Sequence, residues 1–240
     1  QMTQEMAENM FELQKKMERA IELQCSEVLT TGIVTLASGT GNIDFKRKAA
    51  SKLAYAAGRD FAIGTVSPHK VLEDGCTFLK TIGRANGGIF NCIMGSEVYN
   101  AMLSNTLFEK RNDLQSINLD AIREPQKNSN GGVLHGTISC GSFKVRIWTY
   151  PEVYTDTAGA QQYYINQKDA ILIPENPDFL TAYAAVPQLI SDNGTIPQKG
   201  KYLIQDFIDQ KKASHEMHIK SAGVAVPVGV DQIWTARILN

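Results

Sequence analysis

Apolar residues at Met2, Met6, Met10, Leu13, Met17, Ile21, Cys25 and Val28 recur at steps of three or four, with Glu, Lys and Gln filling the positions between them. That period lays them along one side of an α-helix, so residues 1–29 are predicted as one helix about 43 Å long at 1.5 Å per residue. Thr30-Thr31-Gly32 stops it, the glycine serving as a left-handed cap. A helix this long acts as a spine for other elements. Its core-facing stripe is predicted to be Met6, Met10, Leu13, Met17 and Ile21, packed on the sheet of residues 133–167.

Ile33-Val34-Thr35-Leu36 and Ile43-Asp44-Phe45 flank the turn-rich Ser38-Gly39-Thr40-Gly41-Asn42, which reads as a β-hairpin. Ser67-Pro68 opens a second helix whose period runs through Val71, Leu72, Phe78 and Leu79 to a stop at Gly83. Residues 88–94 form a buried strand, and Gly95-Ser96 starts a third helix through Val98, Ala101, Met102 and Leu103. From Gly132 the period falls to two. Phe143, Val145 and Ile147 alternate with Lys144, Arg146 and Trp148, and Gly141-Ser142 turns the chain back onto residues 133–138. Further strands are expected at 162–166, 170–174, 217–220 and 233–238, around an apolar run at 224–228. The chain is α+β without an internal repeat.

Composition narrows the function classes. The 240 residues suffice for one large domain or two small ones without disulfide staples. With 24 Lys plus Arg against 25 Asp plus Glu, the net charge of −1 removes the simplest electrostatic case for a nucleic-acid or membrane-surface binder. No apolar run reaches membrane-spanning length and no secretory signal opens the chain. Beginning at Gln1, the sequence reads as a processed product or a piece of a longer chain.

The candidate chemistry is sparse. Cys25, Cys76, Cys92 and Cys140 are widely spaced among apolar residues, which fits small core residues in a reducing compartment and not a zinc or redox motif. Gly39-Thr40-Gly41 lacks the third glycine of a dinucleotide loop and the Gly-Lys-Ser/Thr of a P-loop. His215 and His218 fall on opposite sides of a strand, and His69 and His135 stand alone. No cofactor and no metal are expected, and an enzyme is not expected. The densest positive run is Lys46, Arg47, Lys48 and Lys52, either a solvated helix start or a face for packaged DNA or an acidic neighbouring subunit.

The order of these elements resembles a known family. The helix running into Leu29-Thr30-Thr31-Gly32-Ile33-Val34-Thr35-Leu36 and then Ile43-Asp44-Phe45-Lys46-Arg47 resembles the signature of the lambda-like major capsid protein E family of tailed bacteriophages. Gly95-Ser96 after a buried strand, Tyr150-Pro151-Glu152-Val153-Tyr154 after a hairpin, Ile171-Leu172-Ile173-Pro174, and Ser221-Ala222-Gly223 through Asp231-Gln232-Ile233-Trp234 are similar to its later motifs. Two departures stand out. Lys46 occupies the family's glycine position, which is expected to alter the chain path after the hairpin, and the family's N-terminal arm and extended loop are lacking.

The resemblance implies a tailed-phage major capsid fold. Residues 1–45 would supply the spine helix and hairpin of a peripheral domain, 46–132 an axial domain, 133–170 the peripheral antiparallel sheet, and 171–240 a return to the axial domain with the closing strands. It also implies a structural subunit of an icosahedral head shell, found in the virion and, during assembly, in the host cytoplasm. Its partners would be further copies in hexamers and pentamers, double-stranded DNA bound non-specifically, and scaffold, portal or decoration proteins, with no membrane. An encapsulin-like nanocompartment shell and a monomeric binding domain are the alternatives.

Overall fold

The computed structural model describes residues 2–36, 41–114, 126–127, 131–191, 194–209 and 214–240. Their contacts gather into two compact units, one of residues 1–25 with 179–226 and one of residues 26–178 with 227–240.

The larger unit is built on a seven-stranded mixed sheet. Its strands are β3 (Lys52–Leu53), β4 (Ile89–Met94), β5 (Gln126–Lys127), β6 (Val133–Cys140), β7 (Phe143–Thr149), β10 (Asp169–Pro174) and β17 (Trp234–Arg237), in the spatial order β3-β17-β10-β4-β7-β6-β5. The β4–β7 and β17–β3 pairs are parallel and the remaining pairs antiparallel. Alternation sets the faces. Phe90, Cys92 and Met94 of β4 point into the core with Val145 and Ile147 of β7, while Asn91 and Ile93 lie half-exposed on the other side. Helix α2 (Pro68–Thr81) covers the core face, with α3 (Ser96–Leu103) and α4 (Thr106–Leu114) nearby. Gly75 permits the close approach of α2, since a Cβ there would stand 2.5 Å from Leu172 Cδ1 and 3.1 Å from the Trp234 ring.

One side chain holds a loop to this frame. Asn105 is buried and spends its whole amide: Nδ2 donates to the carbonyls of Phe61, Ile63 and Val66, and Oδ1 accepts from the N–H groups of Leu107 and Phe108. It therefore caps α4 and ties down the loop before α2. A short hairpin, β8 (Val153–Thr155) with β9 (Gln161–Tyr163), stands outside the large sheet.

The smaller unit holds most of α1 (Met2–Thr30) and three two-stranded sheets. These are β11 (Phe179–Tyr183) with β16 (Gly223–Pro227), β12 (Val186–Ser191) with β13 (Gly194–Gln198), and β14 (Leu203–Asp209) with β15 (Ser214–Lys220). Gln24 Oε1 accepts from the Ala225 N–H at 3.1 Å, and Tyr202 donates to Glu18 at 3.2 Å.

Several expectations need correction. Residues 133–167 do not make a separate sheet: β6 and β7 join β4 and β10 because Val145 and Ile147 complete the same buried layer as Phe90 and Cys92. Residues 179–226 group with the N-terminal part of α1. The methionine stripe is not a closed core. Met10, Met17 and Ile21 are half-buried, Leu13 is 36% exposed and Phe11 66% exposed, and the Met6 side chain lies outside the described residues. Leu13, Met17 and Ala20 share a groove with residues 217–220, so their neighbour is the β14–β15 hairpin and not the 133–167 strands. A two-stranded sheet has too little surface to enclose a helix face, whereas at the other end of α1 Val28 is fully packed at 2% exposure.

Candidate functional site

The C-terminus of α1 leaves its last carbonyls without intrahelical donors. Thr30 and Thr31 turn their hydroxyls back onto the carbonyls of Ser26 and Glu27, and Gly32, at φ +74°, bends the chain into β1 (Ile33–Thr35). β1 pairs antiparallel with β2 (Asn42–Asp44), which returns the chain to the helix end. Three residues after β2 Arg47 enters the interior, only 5% exposed.

Its guanidinium closes on three segments. Nη1 donates to the carbonyls of Val28 at 3.3 Å, Leu29 at 2.8 Å and Thr30 at 3.4 Å. Nη2 donates to the Ser51 carbonyl at 3.0 Å, the Ile233 carbonyl at 3.2 Å and Thr235 Oγ1 at 3.0 Å. Thr235 in turn donates to the Leu29 carbonyl at 2.7 Å. Among the described residues no carboxylate pairs with Arg47. Burial lowers its pKa to about 10, which still leaves it charged at neutral pH. Its counter-charge is the negative end of the α1 dipole, met by a cation at the helix terminus. Gly32 is part of the same arrangement, for a Cβ there would stand 2.5 Å from Arg47 Cδ.

The basic run is thus divided. Arg47 does not belong to a surface patch, because it is buried and both terminal nitrogens of its guanidinium donate to internal acceptors. Lys46 is exposed, and its N–H and Nζ both bind Asp44 at 2.8 Å, a contact that lowers the Asp44 pKa and raises that of Lys46. Its φ of +57° is the left-handed conformation that glycine takes most readily. Lys48 pairs with Asp231 at 2.8 Å, and Lys52 donates to the Thr31 carbonyl at 3.3 Å.

The remaining candidates do not assemble into a reactive centre. Burial pushes the thiols of Cys76 and Cys140 up to about 12 and that of Cys92 well above its ordinary value, which leaves them protonated and weakly nucleophilic. Cys25, expected in the core, is exposed. His69 is 1% exposed and stacked on Phe108 at 5.0 Å, with neither ring nitrogen partnered among the described residues. Burial, reinforced by Arg111, lowers its pKa to about 4. The His215 side chain lies outside the described residues, and His218 packs edge-on against Phe207. Among the described residues no cluster of three or more His, Cys, Asp or Glu is placed to hold a metal ion. Sequence reasoning missed Asn105 and the burial of Arg47. Ser104-Asn105-Thr106 ahead of Leu107-Phe108 is a legible helix start that could have given the first.

A long helix stopped at a glycine, a hairpin returning to it, and a mixed helix-flanked sheet define the class: this is the tailed-phage capsid fold. The chain superposes over 96% of its length on a protein described as the capsid protein of a prophage in Escherichia coli CFT073, with a TM-score of 0.71 and 19% identity, covering 65% of that protein. It also superposes over 96% of its length on a phage-related protein from Bordetella bronchiseptica RB50, with a TM-score of 0.56 and 12% identity, covering 66% of it. The chain therefore spans about two thirds of the length of these solved structures. No curated protein matches it significantly. The family model for phage major capsid protein E matches residues 1–238, and the chain belongs to that family.

Proposed function

We propose that the chain is the shell-building part of a phage head subunit, joining further copies in hexamers and pentamers to enclose double-stranded DNA. The family match over residues 1–238 carries this reading. The polar chemistry of the interior supports it, since the buried Arg47 cluster serves to fix a helix end to a sheet and the buried thiols are held protonated. Many repeated weak contacts then provide the strength of the assembly. The virion is the resulting location, after assembly in the host cytoplasm, with scaffold, portal or decoration proteins as partners. Among the described residues no helix is long and apolar enough to cross a membrane.

Contact with DNA or an acidic neighbour falls to Lys46, Lys48 and Lys52, the exposed members of the basic run. Sedimentation and electron microscopy of the full-length protein test the reading: megadalton closed particles are expected, and a stable monomer would overturn it. Particles holding a cargo protein and no DNA would point to a nanocompartment. Replacing the three lysines with glutamine is expected to reduce DNA retention while leaving the subunit folded.

A further inference from the structure

Helix α1 carries a stripe of charge that its own chain leaves unpaired. Glu8, Glu12, Lys15 and Arg19 are all exposed. At 3.6 residues per turn the four positions fall within about 60° of one another, on a stripe about 17 Å long. It runs along the side of the helix away from the half-buried Met10, Met17 and Ile21. None of the four has an ion pair or a side-chain hydrogen bond among the described residues. The ion pair that α1 does form, Glu18 with Lys201 at 3.7 Å, lies to one side of the stripe.

Charge on the stripe is sorted in a way the helix itself does not favour. Glu8 and Glu12 stand one turn apart, as do Lys15 and Arg19, and like charges at that spacing repel. The helix dipole does not account for the order, because its influence is confined to the end turns and Lys15 and Arg19 lie eleven or more residues before Thr30. The stripe is thus acidic in its N-terminal half and basic in its C-terminal half. That order is self-complementary under a two-fold axis. In an antiparallel pair, one register centred between residues 13 and 14 sets Glu8 against Arg19 and Glu12 against Lys15, twice over. A parallel pair in register would set like charges together, which selects against it. Phe11 borders the stripe, one turn from both Glu8 and Lys15, and at 66% exposure it is the most exposed large apolar side chain among the described residues.

We propose that α1 of one copy pairs antiparallel with α1 of a second copy through the Glu8, Glu12, Lys15 and Arg19 stripe, with both Phe11 side chains on one edge of the contact. This inference rests on the shell reading. A two-fold contact joins copies in pairs and cannot itself close a ring of five or six, so in a head shell it ties one ring to the next. Exposed ion pairs are individually weak, and the contact gains strength through repetition over the shell.

Charge exchange in the full-length protein tests it. Glu8→Lys with Glu12→Lys makes the stripe wholly basic, and Lys15→Glu with Arg19→Glu makes it wholly acidic. Each double variant alone is expected to lower particle yield about tenfold or more. An equimolar mixture of the two is expected to restore it, because each copy needs one partner and acidic–basic pairs supply every such contact. All four exchanges in one chain reverse the sense of each pair and are also expected to restore the yield, which decides the matter even where one double variant fails to fold. Normal yield from either double variant would overturn the contact and leave the shell reading standing. A loss that neither the mixture nor the fourfold exchange repairs would also overturn it and assign the stripe to another partner. A parent protein that forms no particles would overturn the shell reading and this contact together.

Discussion

Truncating Arg47 to alanine removes a donor set that no neighbouring side chain can replace. The Leu29, Ser51 and Ile233 carbonyls and the Thr235 hydroxyl lose contacts of 2.8 to 3.2 Å, in a place where Arg47 itself is only 5% exposed. Each buried acceptor left unmet costs about 1–3 kcal/mol, while removal of the buried charge returns part of this because its own desolvation vanishes. Admitted water satisfies some of the carbonyls, so the net loss is about 3–5 kcal/mol, against a total stability of about 5–15 kcal/mol for an ordinary domain. With a urea slope of roughly 2–3 kcal/mol per molar, the unfolding midpoint of unassembled subunits should fall by about 1–2 M. Arg47→Lys keeps the charge but not the fork that reaches two sides at once, and should fall between. Lys48→Ala is the control, since its pair with Asp231 is exposed and worth about 0–1 kcal/mol. A midpoint for Arg47→Ala no lower than that for Lys48→Ala would refute the account of the helix terminus.

Four further outcomes are expected. His69, with a folded pKa near 4 against an unfolded value of 6.5, stays neutral in the folded protein while the unfolded chain takes up a proton. Stability is therefore lost as pH falls from about 6.5 to about 4, by roughly 3 kcal/mol at most, and His69→Phe should flatten that part of a denaturation-against-pH curve. Asn105→Ala should cost about 2–4 kcal/mol in thermal or urea unfolding, through the lost α4 cap and three orphaned carbonyls. Lys46→Gly should raise the melting temperature slightly, because relief of the left-handed lysine outweighs an exposed ion pair, and a lower melting temperature would contradict this. A thiol reagent should modify Cys25 alone in the native protein and all four cysteines in denaturant, and native reaction of Cys92 would show that the core opens.

Where one apolar face meets a broad layer, the pattern in the sequence was sufficient. Phe90, Cys92 and Met94 alternate with half-exposed neighbours, and Phe143, Val145 and Ile147 do the same, so both strands were legible before their pairing was. Gly32 marked the end of α1 because few other residues accept φ +74°. The strands between 179 and 209 gave no comparable signal. Phe179, Leu180, Ile196 and Ile204 are apolar residues that stay exposed, so burial imposes no period on their neighbours. Arg47 was misread for another reason: local charge density records which side chains are cationic but not that six oxygens from residues 28–30, 51 and 233–235 converge on one of them. The methionine stripe had the correct period and the wrong partner, since periodicity fixes a face without saying how much surface will cover it.

The place of β17 in the sheet bears on how the chain folds during synthesis. Residues 234–237 are made after every other strand of the seven, yet they sit between β3 and β10. Until they leave the ribosome, β10 presents an unpaired edge and β3 has no neighbour. Ile233 and Thr235 are likewise absent from the guanidinium of Arg47 for as long. The nascent subunit thus exposes a sheet edge that other nascent chains can pair with, and its helix end lacks the contacts that Ile233 and Thr235 supply. Ribosomes translating this chain close together on one message would hold several such edges side by side, so a slow step near residues 230–237 would favour aggregation at the moment when neighbouring copies are most concentrated.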